Sequence, residues 1–357
     1  MFVQLIRLAV GASAVGALLG AAYALYAREW VAAMFAGLGA VLFFGITRQL
    51  WTTRNVPAGD TADEHDPFRR LTGKTLIAVL LGGFVAGTVV SVIGDLLVPS
   101  DGAGLGRALL GFGLYGFTAA GISIAARRAG VDFSRIKGNF PESGTLLRAL
   151  AAVVPLLLFS YGTIWILYHP ISLGWPEFVQ SMLLDNDAFV MVFDGPMNVA
   201  ISTLGAVALV VLAPVVEEIF FRGYLLHRWA LTWGIEASVV ATTVVFASLH
   251  ADPLGATLFG FAMAIFYIKT RSLELVILCH VLNNLVAYLL GIVFTAIEGP
   301  NATYTVADFR QEWWIAAICL GLALPWAVRF VRRNWPDERW SMPYPGNLGV
   351  HGVQEYS

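Results

Sequence analysis

Long apolar runs without charged residues constrain this chain more than any other feature of its sequence. A helix needs about 20 predominantly apolar residues to cross the hydrocarbon core of a bilayer. Ten runs approach this length, at residues 5–27, 30–47, 75–98, 108–126, 149–171, 198–221, 235–250, 254–270, 273–297 and 313–331. The pattern predicts an all-α, polytopic bundle of transmembrane helices. We expect eight to ten spans, because the seventh and eighth runs are short and Pro253 separates them.

Composition also favours a membrane protein over a soluble domain. Only 13% of the residues are charged, whereas soluble domains carry about a quarter. The net charge of -2 indicates no basic face for nucleic acid. Cys279 and Cys319 both lie in apolar runs, which indicates small core residues rather than a disulfide or a cysteine metal site. The run after Arg7 has no convincing cleavage site, so we interpret it as the first span rather than as a signal peptide.

The distribution of basic residues predicts the orientation of the bundle. If the N-terminus is cytoplasmic, 19 of the 22 lysine and arginine residues fall in cytoplasmic segments. Only Arg28, Arg107 and Arg310 fall on the other side. Cytoplasmic loops of membrane proteins carry such an excess of positive charge. We therefore predict that both termini are cytoplasmic.

The chain divides into three predicted regions. Residues 1–197 form N-terminal transmembrane helices of unknown role, with a polar loop at 49–74. Residues 198–297 form a helical core, and residues 298–357 form a final transmembrane helix and a cytoplasmic tail. The tail from Arg332 is rich in proline, tryptophan and glycine, which predicts a loosely ordered segment.

Ionisable side chains inside spans need a reason, because each costs at least about 2.5–3.5 kcal/mol on insertion scales. A first cluster, Glu217, Glu218 and Arg222, follows Pro214, which frees a backbone carbonyl and loosens the helix. Glu218 and Arg222 are four residues apart and can pair on one helix face. Glu217 points about 100° away, which leaves it free to act as a general base. The alternative is a surface charge cluster that ends the helix.

Two further clusters follow at helical spacing. Phe246 precedes His250 by four residues, and His280 precedes Asn284 by four. Their structural alternatives are helix capping for His250 and interhelical hydrogen bonding for the other pair. Helix rise places Glu217 roughly 18 Å, His250 about 25 Å and His280 about 12 Å from the inner surface. We expect helix tilt or a bend to bring the three groups together.

The ordered motifs Glu-Glu-x-x-x-Arg, Phe-x-x-x-His and His-x-x-x-Asn resemble the CPBP family of intramembrane proteases. This family includes CAAX prenyl proteases of the Rce1 type and the Abi bacteriocin-processing proteins. The resemblance covers about 198–297 and makes this region the catalytic core. It implies that Glu217 activates water with help from His250, and that His280 and Asn284 stabilise the oxyanion. The implied supporting residues are Glu218, Arg222 and Phe246.

The resemblance implies an intramembrane endopeptidase that cleaves a membrane-associated precursor, either lipidated or leader-bearing. The implied partners are membrane lipid and a peptide or protein substrate, with no nucleic acid. The implied location is multi-pass, in the plasma membrane of a prokaryote. Zinc stays open, because Glu217, His250 and His280 suit a metalloprotease-like site with water as fourth ligand. The sequence lacks His-Glu-x-x-His, and we prefer a metal-free glutamate mechanism that requires no cofactor.

Other classes fit the sequence less well. A rhomboid-like protease needs Gly-x-Ser-x-Gly, which is absent. A presenilin-like protease needs two intramembrane aspartates, and Asp95 has no convincing partner. The remaining alternative is a non-catalytic transporter or scaffold, because carboxylates and histidines in spans also line paths through membrane proteins.

Overall fold

The structure is a computed structural model that describes residues 66–97, 105–184, 202–298, 304–336 and 340–347. Helices make up nearly all of this part of the chain, and no strand occurs in it. Seven of the helices described are long and apolar enough to cross a membrane. The prediction of an all-α, polytopic membrane bundle is therefore confirmed. The runs at 5–27 and 30–47 lie outside the described residues, so the span count and the side of the termini stay predictions.

We number the helices in chain order after a short 3-10 turn, Pro67–Arg69. They are α1 (Gly73–Leu97), α2 (Leu105–Ala129), α3 (Phe133–Lys137), α4 (Ser143–Ala151), α5 (Val153–Gly174), α6 (Pro176–Val179), α7 (Ser202–Ser248), α8 (Pro253–Thr270), α9 (Leu273–Glu298), α10 (Val306–Gln311), α11 (Trp313–Arg333) and α12 (Pro343–Gly346). A π-helical turn, Gln180–Leu184, extends α6. Helices α4 and α5 together make one candidate span.

Helices α1 and α2 pack so closely that glycine is needed where they touch. A Cβ on Gly83 would stand 2.9 Å from the Leu114 carbonyl oxygen. A Cβ on Gly87 would stand 2.9 Å from the Leu110 carbonyl oxygen. Transmembrane helices associate through small residues of this kind, because the backbones can approach each other. The two helices therefore form a tight pair.

Helix α7 contains two of the predicted apolar runs, at 198–221 and 235–250. Its backbone breaks between them at Gly234, which has φ 80° and ψ 172°. Only glycine adopts this conformation without strain. The seven candidate spans consequently correspond to eight of the ten predicted runs.

Burial identifies α8 as the most enclosed of the candidate spans. Of its residues 67% are buried, against 17% in the apolar stretches of α1 and α11. Large apolar side chains of the outer helices are exposed instead, including Leu81 at 57% and Leu322 at 65%. Apolar surface of this extent suits contact with lipid rather than with water.

Residues 340–347, in the C-terminal tail, are more ordered than the composition of that tail indicated. Tyr344 is 5% exposed, and its ring lies edge-on to Phe68 with the centroids 5.0 Å apart. Its backbone N–H donates to Nε2 of the buried His227 at 3.2 Å. The prediction of a loosely ordered tail is therefore wrong for residues 340–347. The reason is that an aromatic side chain anchors this segment in the hydrophobic core.

Candidate active site

Glu217 and Glu218 lie in α7 between two π-helical turns, Ala208–Leu212 and Ile219–Leu225. Such turns interrupt the regular helix and are frequent at functional sites. Adjacent helical residues point about 100° apart, so the two carboxylates have different surroundings. The Glu218 side chain is completely buried, whereas 18% of the Glu217 side chain is exposed.

Glu218 connects α7 to two other helices. Its Oε1 accepts a hydrogen bond from Arg222 Nη1 at 2.9 Å and lies 2.7 Å from His280 Nδ1 of α9. Arg222 also donates from Nη2 to the carbonyl oxygen of Gly260 in α8 at 2.9 Å. The predicted pair of Glu218 and Arg222 is thus present. Through these hydrogen bonds the pair links α7 to α8 and α9.

Glu217 does not pair with Arg222, in line with the prediction, but it has other polar neighbours. Its Oε1 accepts a hydrogen bond from the Tyr115 hydroxyl of α2 at 2.8 Å. Its Oε2 lies 3.9 Å from Nε2 of His250 and 3.9 Å from Nε2 of His280. A water molecule beside these three atoms can hydrogen-bond to them.

The orientation of His250 is fixed by Phe246. Nδ1 of His250 lies 2.7 Å from the Phe246 carbonyl oxygen. Because a carbonyl only accepts, Nδ1 carries the proton. The two rings have centroids 4.3 Å apart, and Cζ of Arg222 lies 4.6 Å from the Phe246 centroid. Phe246 therefore supports both the histidine and the arginine by direct packing.

The loop that carries His250 is anchored on α5. The Tyr168 hydroxyl donates to the Ala251 carbonyl oxygen at 2.7 Å, and Ser160 Oγ donates to Asp252 Oδ2 at 2.5 Å. Asp252 also caps α8, since its Oδ1 accepts from a backbone N–H of the first turn at 3.0 Å. Helix α5 lies outside the three motifs, yet its hydrogen bonds anchor the two residues that follow His250.

Asn284 is held by the backbone of α7. Its Nδ2 donates to the Leu209 carbonyl oxygen at 2.9 Å. In this π-helical turn the N–H of Ala213 bonds to the carbonyl of Ala208, five residues earlier. The next residue, Pro214, has no N–H with which to bond to Leu209. The predicted release of a carbonyl by Pro214 is therefore observed, and Asn284 satisfies that carbonyl.

These polar groups line one cavity of about 530 Å³. Helices α1, α2, α5, α7, α8 and α9 contribute to its walls. Most of the lining is aliphatic or aromatic, and five phenylalanines take part. Apolar walls with a few convergent polar groups are typical of ligand sites. The cavity therefore provides an apolar binding space with carboxylate and imidazole groups at one place in its wall.

The structure brings the four predicted catalytic residues to this cavity: Glu217, His250, His280 and Asn284. The predicted depths of Glu217, His250 and His280 differed by up to about 13 Å. That estimate assumed regular helices, whereas π-helical turns interrupt α7 on both sides of Glu217. The catalytic roles of the four residues stay predictions.

The residues of the site that were missed from the sequence include Tyr115 and Asp252. Tyr115 is 102 residues from Glu217, and a single tyrosine in an apolar run gives no signal of such a contact. Asp252 did carry a signal, since aspartate followed by proline is a typical helix start. That pattern indicates a cap, but it does not reveal the hydrogen bond from Ser160.

The residue types around Glu217 suit zinc, but their spacing is wide. One carboxylate oxygen and two imidazole Nε2 atoms form a known zinc donor set. Both Nδ1 atoms face oxygen acceptors, as in zinc-bound histidine. Tetrahedral zinc would place ligand atoms about 3.4 Å apart, against 3.9 Å here. Among the residues that the structure describes, no group of three such side chains stands close enough to hold a metal ion.

The fold and the site define an integral membrane protein with a carboxylate and two histidines at a cavity between its helices. Residues 199–286 match the family of Rce1-like proteins, described as type II CAAX prenyl endopeptidase Rce1-like. This segment, which carries all three motifs, is therefore an Rce1-like domain, and the predicted resemblance is confirmed. No match was found among curated proteins or among solved structures. The family supports peptidase chemistry on a peptide or protein in a membrane context.

Proposed function

We propose that this protein is an intramembrane endopeptidase in which Glu217 activates the water that cleaves a membrane-associated precursor. The position of Glu217 Oε2 carries the proposal. This atom lies 3.9 Å from Nε2 of both His250 and His280, at the wall of a cavity of about 530 Å³. A carboxylate there can take a proton from a water held beside the imidazoles. The Rce1-like domain supports the same class of reaction.

The proposed reaction begins when the water oxygen attacks the carbonyl carbon of the scissile peptide while Glu217 Oε2 accepts a water proton. The carbonyl electron pair moves to oxygen and forms a tetrahedral oxyanion. His280 Nε2–H and the second Nδ2 hydrogen of Asn284 donate to this oxyanion. The C–N bond then breaks, and Glu217 returns the proton to the leaving nitrogen. His250 holds the water in place.

This role for His280 determines its protonation state. Its Nδ1 faces Glu218 Oε1, which accepts, so donation from Nε2 as well requires the imidazolium form. Arg222 and the imidazolium then balance the carboxylates of Glu217 and Glu218. Buried charges are tolerated when they are paired in this way. Glu218 and Arg222 therefore act on the oxyanion through His280.

The apolar lining of the cavity supports a substrate with apolar residues or an attached hydrocarbon chain. CAAX sequences meet this requirement, because they carry a prenylated cysteine followed by three residues. We propose a lipidated or leader-bearing precursor that reaches the site from the membrane lipid. We propose the plasma membrane of a prokaryote as the place of the reaction, with no part for nucleic acid.

Glu217→Gln in the full-length protein tests the proposal. The substrate for the kinetics is an internally quenched peptide with a prenylated cysteine and three C-terminal residues. The readout in cells is the set of termini of all membrane proteins. We expect kcat to fall at least about 100-fold, because a general base contributes that much. The natural precursors should accumulate uncut in cells that carry only the variant.

Glu236→Gln is the matched control, because the Glu236 side chain is on the surface and accepts from Trp335 Nε1 at 2.8 Å. It should cleave at the wild-type rate. Cleavage by Glu217→Gln at the wild-type rate would refute the mechanism. Solute flux that depends on Glu217, without any precursor that is cut, would instead identify a transporter.

Zinc is the alternative to direct activation of water by Glu217. Glu217, His250 and His280 would have to move closer together than 3.9 Å to hold the ion, which would supply Lewis-acid activation of the water. We expect kcat to survive prolonged treatment of the purified protein with phenanthroline, and elemental analysis to find substoichiometric zinc. Loss of activity on chelation, with recovery on addition of Zn²⁺, would overturn the metal-free mechanism.

A further inference from the structure

One side chain from outside the Rce1-like domain touches the proposed base. Tyr115 of α2 places its hydroxyl 2.8 Å from Glu217 Oε1. An ionised carboxylate only accepts, so the phenol donates. We propose that Tyr115 is a positioning residue that orients the Glu217 carboxylate so that Oε2 faces the two histidines. This inference rests on the proposed function.

The contact restricts the one rotation that matters for the base. The terminal torsion of glutamate has broad, roughly two-fold preferences, so a carboxylate without a partner samples many orientations. Tyr115 occupies Oε1, which leaves Oε2 as the oxygen 3.9 Å from Nε2 of His250 and of His280. A hydrogen bond to a charged acceptor is stronger than one between neutral groups. It can therefore hold this orientation in a side chain that is 18% exposed.

The packing of α2 brings the hydroxyl to the base. Gly111 lies one turn before Tyr115, and a Cβ on Gly111 would stand 3.1 Å from Cβ of Ala208 in α7. Gly113 points to the opposite side of α2, where its Cβ would stand 2.7 Å from Cα of Gly87 in α1. Small residues therefore allow α2 to approach both neighbours. The proposed active site is shared between the Rce1-like domain and an N-terminal helix.

Tyr115→Phe tests the proposal without a substrate, because it removes the hydroxyl and keeps the ring. The readout is the infrared carboxyl band of Glu217 in the full-length protein, identified as the band that Glu217→Gln removes. We expect Tyr115→Phe to shift this band, because Oε1 loses its donor. Tyr161→Phe is the control, since the Tyr161 hydroxyl donates to Glu312 at 3.3 Å and does not line the cavity. It should leave the band unchanged.

Kinetics on the prenylated peptide give the second readout. We expect Tyr115→Phe to lower kcat about tenfold with KM within about twofold, because the orientation of the base affects the chemical step. A rise in KM with unchanged kcat would show that Tyr115 binds substrate, and an unshifted band with unchanged kcat would exclude any positioning role. Either result overturns the inference.

A second variant keeps the proposal testable if Tyr115→Phe does not fold. Gly111→Ala keeps the hydroxyl but forces α2 and α7 apart by a few tenths of an ångström, since its Cβ meets that of Ala208. It should lower kcat in part, and Ala208→Gly added to it should restore kcat. Unchanged kcat in Gly111→Ala would contradict the claim that close packing of α2 on α7 brings the Tyr115 hydroxyl to Glu217. Full cleavage activity of Glu217→Gln would refute the proposed function itself. Loss of activity in Glu217→Gln together with wild-type activity of Tyr115→Phe would refute only the inference.

Discussion

At the scale of single residues, Glu217 and Glu218 have the same side chain but different partners. Glu218 is 0% exposed, and both of its polar contacts use Oε1. Its Oε2 is buried without a hydrogen-bond partner among the described residues. An ionised carboxylate tolerates such burial only when nearby positive charge offsets the loss of water. Arg222, whose Nη1 lies 2.9 Å from Glu218 Oε1, provides such a charge. In our proposal this pairing leaves Glu217 as the carboxylate that reacts.

Removal of Arg222 should therefore destabilise the whole protein. Arg222→Met keeps an unbranched side chain but leaves Glu218 with less compensation. Loss of one partner of a buried ion pair costs about 3–5 kcal/mol. We expect the free energy of unfolding in detergent to fall by this amount, measured by denaturant titration with circular dichroism.

The control for this variant is Arg329→Met, because Arg329 is exposed on α11. It should change the unfolding free energy by less than about 0.5 kcal/mol. Glu218→Gln combined with Arg222→Met should recover part of the loss, because the unpaired charge is then gone. Equal stability of Arg222→Met and wild type would contradict this account of the buried cluster.

At the scale of elements, α7 departs from a regular helix where it carries the site. Two π-helical turns flank Glu217 and Glu218, and Pro214 leaves the Leu209 carbonyl without a backbone donor. Asn284 of α9 supplies the missing donor at 2.9 Å. The irregular helix and the asparagine are therefore structurally dependent on each other. This dependence also places Asn284 at the cavity wall.

A double-mutant cycle tests this dependence. Asn284→Ala leaves the Leu209 carbonyl unsatisfied and should lower the free energy of unfolding by about 1–3 kcal/mol. Pro214→Ala added to it supplies a backbone N–H and should recover stability in part. Peptide cleavage should not return, because the proposed oxyanion donor is still absent. Independent, additive losses in the two single variants would show that the two residues are not coupled.

At the scale of the whole molecule, the segment 340–347 is part of the folded core. Tyr344 packs on Phe68, its N–H donates to Nε2 of His227, and its hydroxyl accepts from the Asp132 N–H at 3.2 Å. Asn347 adds a hydrogen bond to the carbonyl oxygen of Arg135 at 2.7 Å. The last described segment therefore joins residues that are far apart in the sequence.

Tyr344→Ala should release this segment. Loss of a buried aromatic side chain costs about 3–5 kcal/mol, which exceeds what the hydrogen bonds of a short segment recover. We expect a protease to remove residues 340–347 faster than in wild type, as followed by mass spectrometry of the intact protein. Tyr344→Phe keeps the packing and should stay protected. Equal protection in wild type and Tyr344→Ala would show that the ring does not anchor the segment.

Local sequence patterns predicted several features of the site. They did not predict the contacts between different helices. Spacing of four residues was enough to predict the pairing of Glu218 with Arg222, because helix geometry alone places them together. Pro214 predicted a free carbonyl, because proline has no backbone N–H to donate. The sequence did not predict that Asn284 donates to the freed carbonyl. It also did not predict that Ser160 donates to Asp252. These contacts join different helices, and no local spacing encodes them.

The sequence by itself determined that apolar helices cross a membrane, because span length is a local property set by the thickness of the bilayer. It also determined which residues form the polar cluster, since ionisable groups are rare inside apolar runs. Only the tertiary structure decided that Tyr115 reaches Glu217 and that Tyr344 reaches His227. Those contacts depend on how closely helices approach and where α7 breaks. Both are set by packing between segments that are distant in the chain.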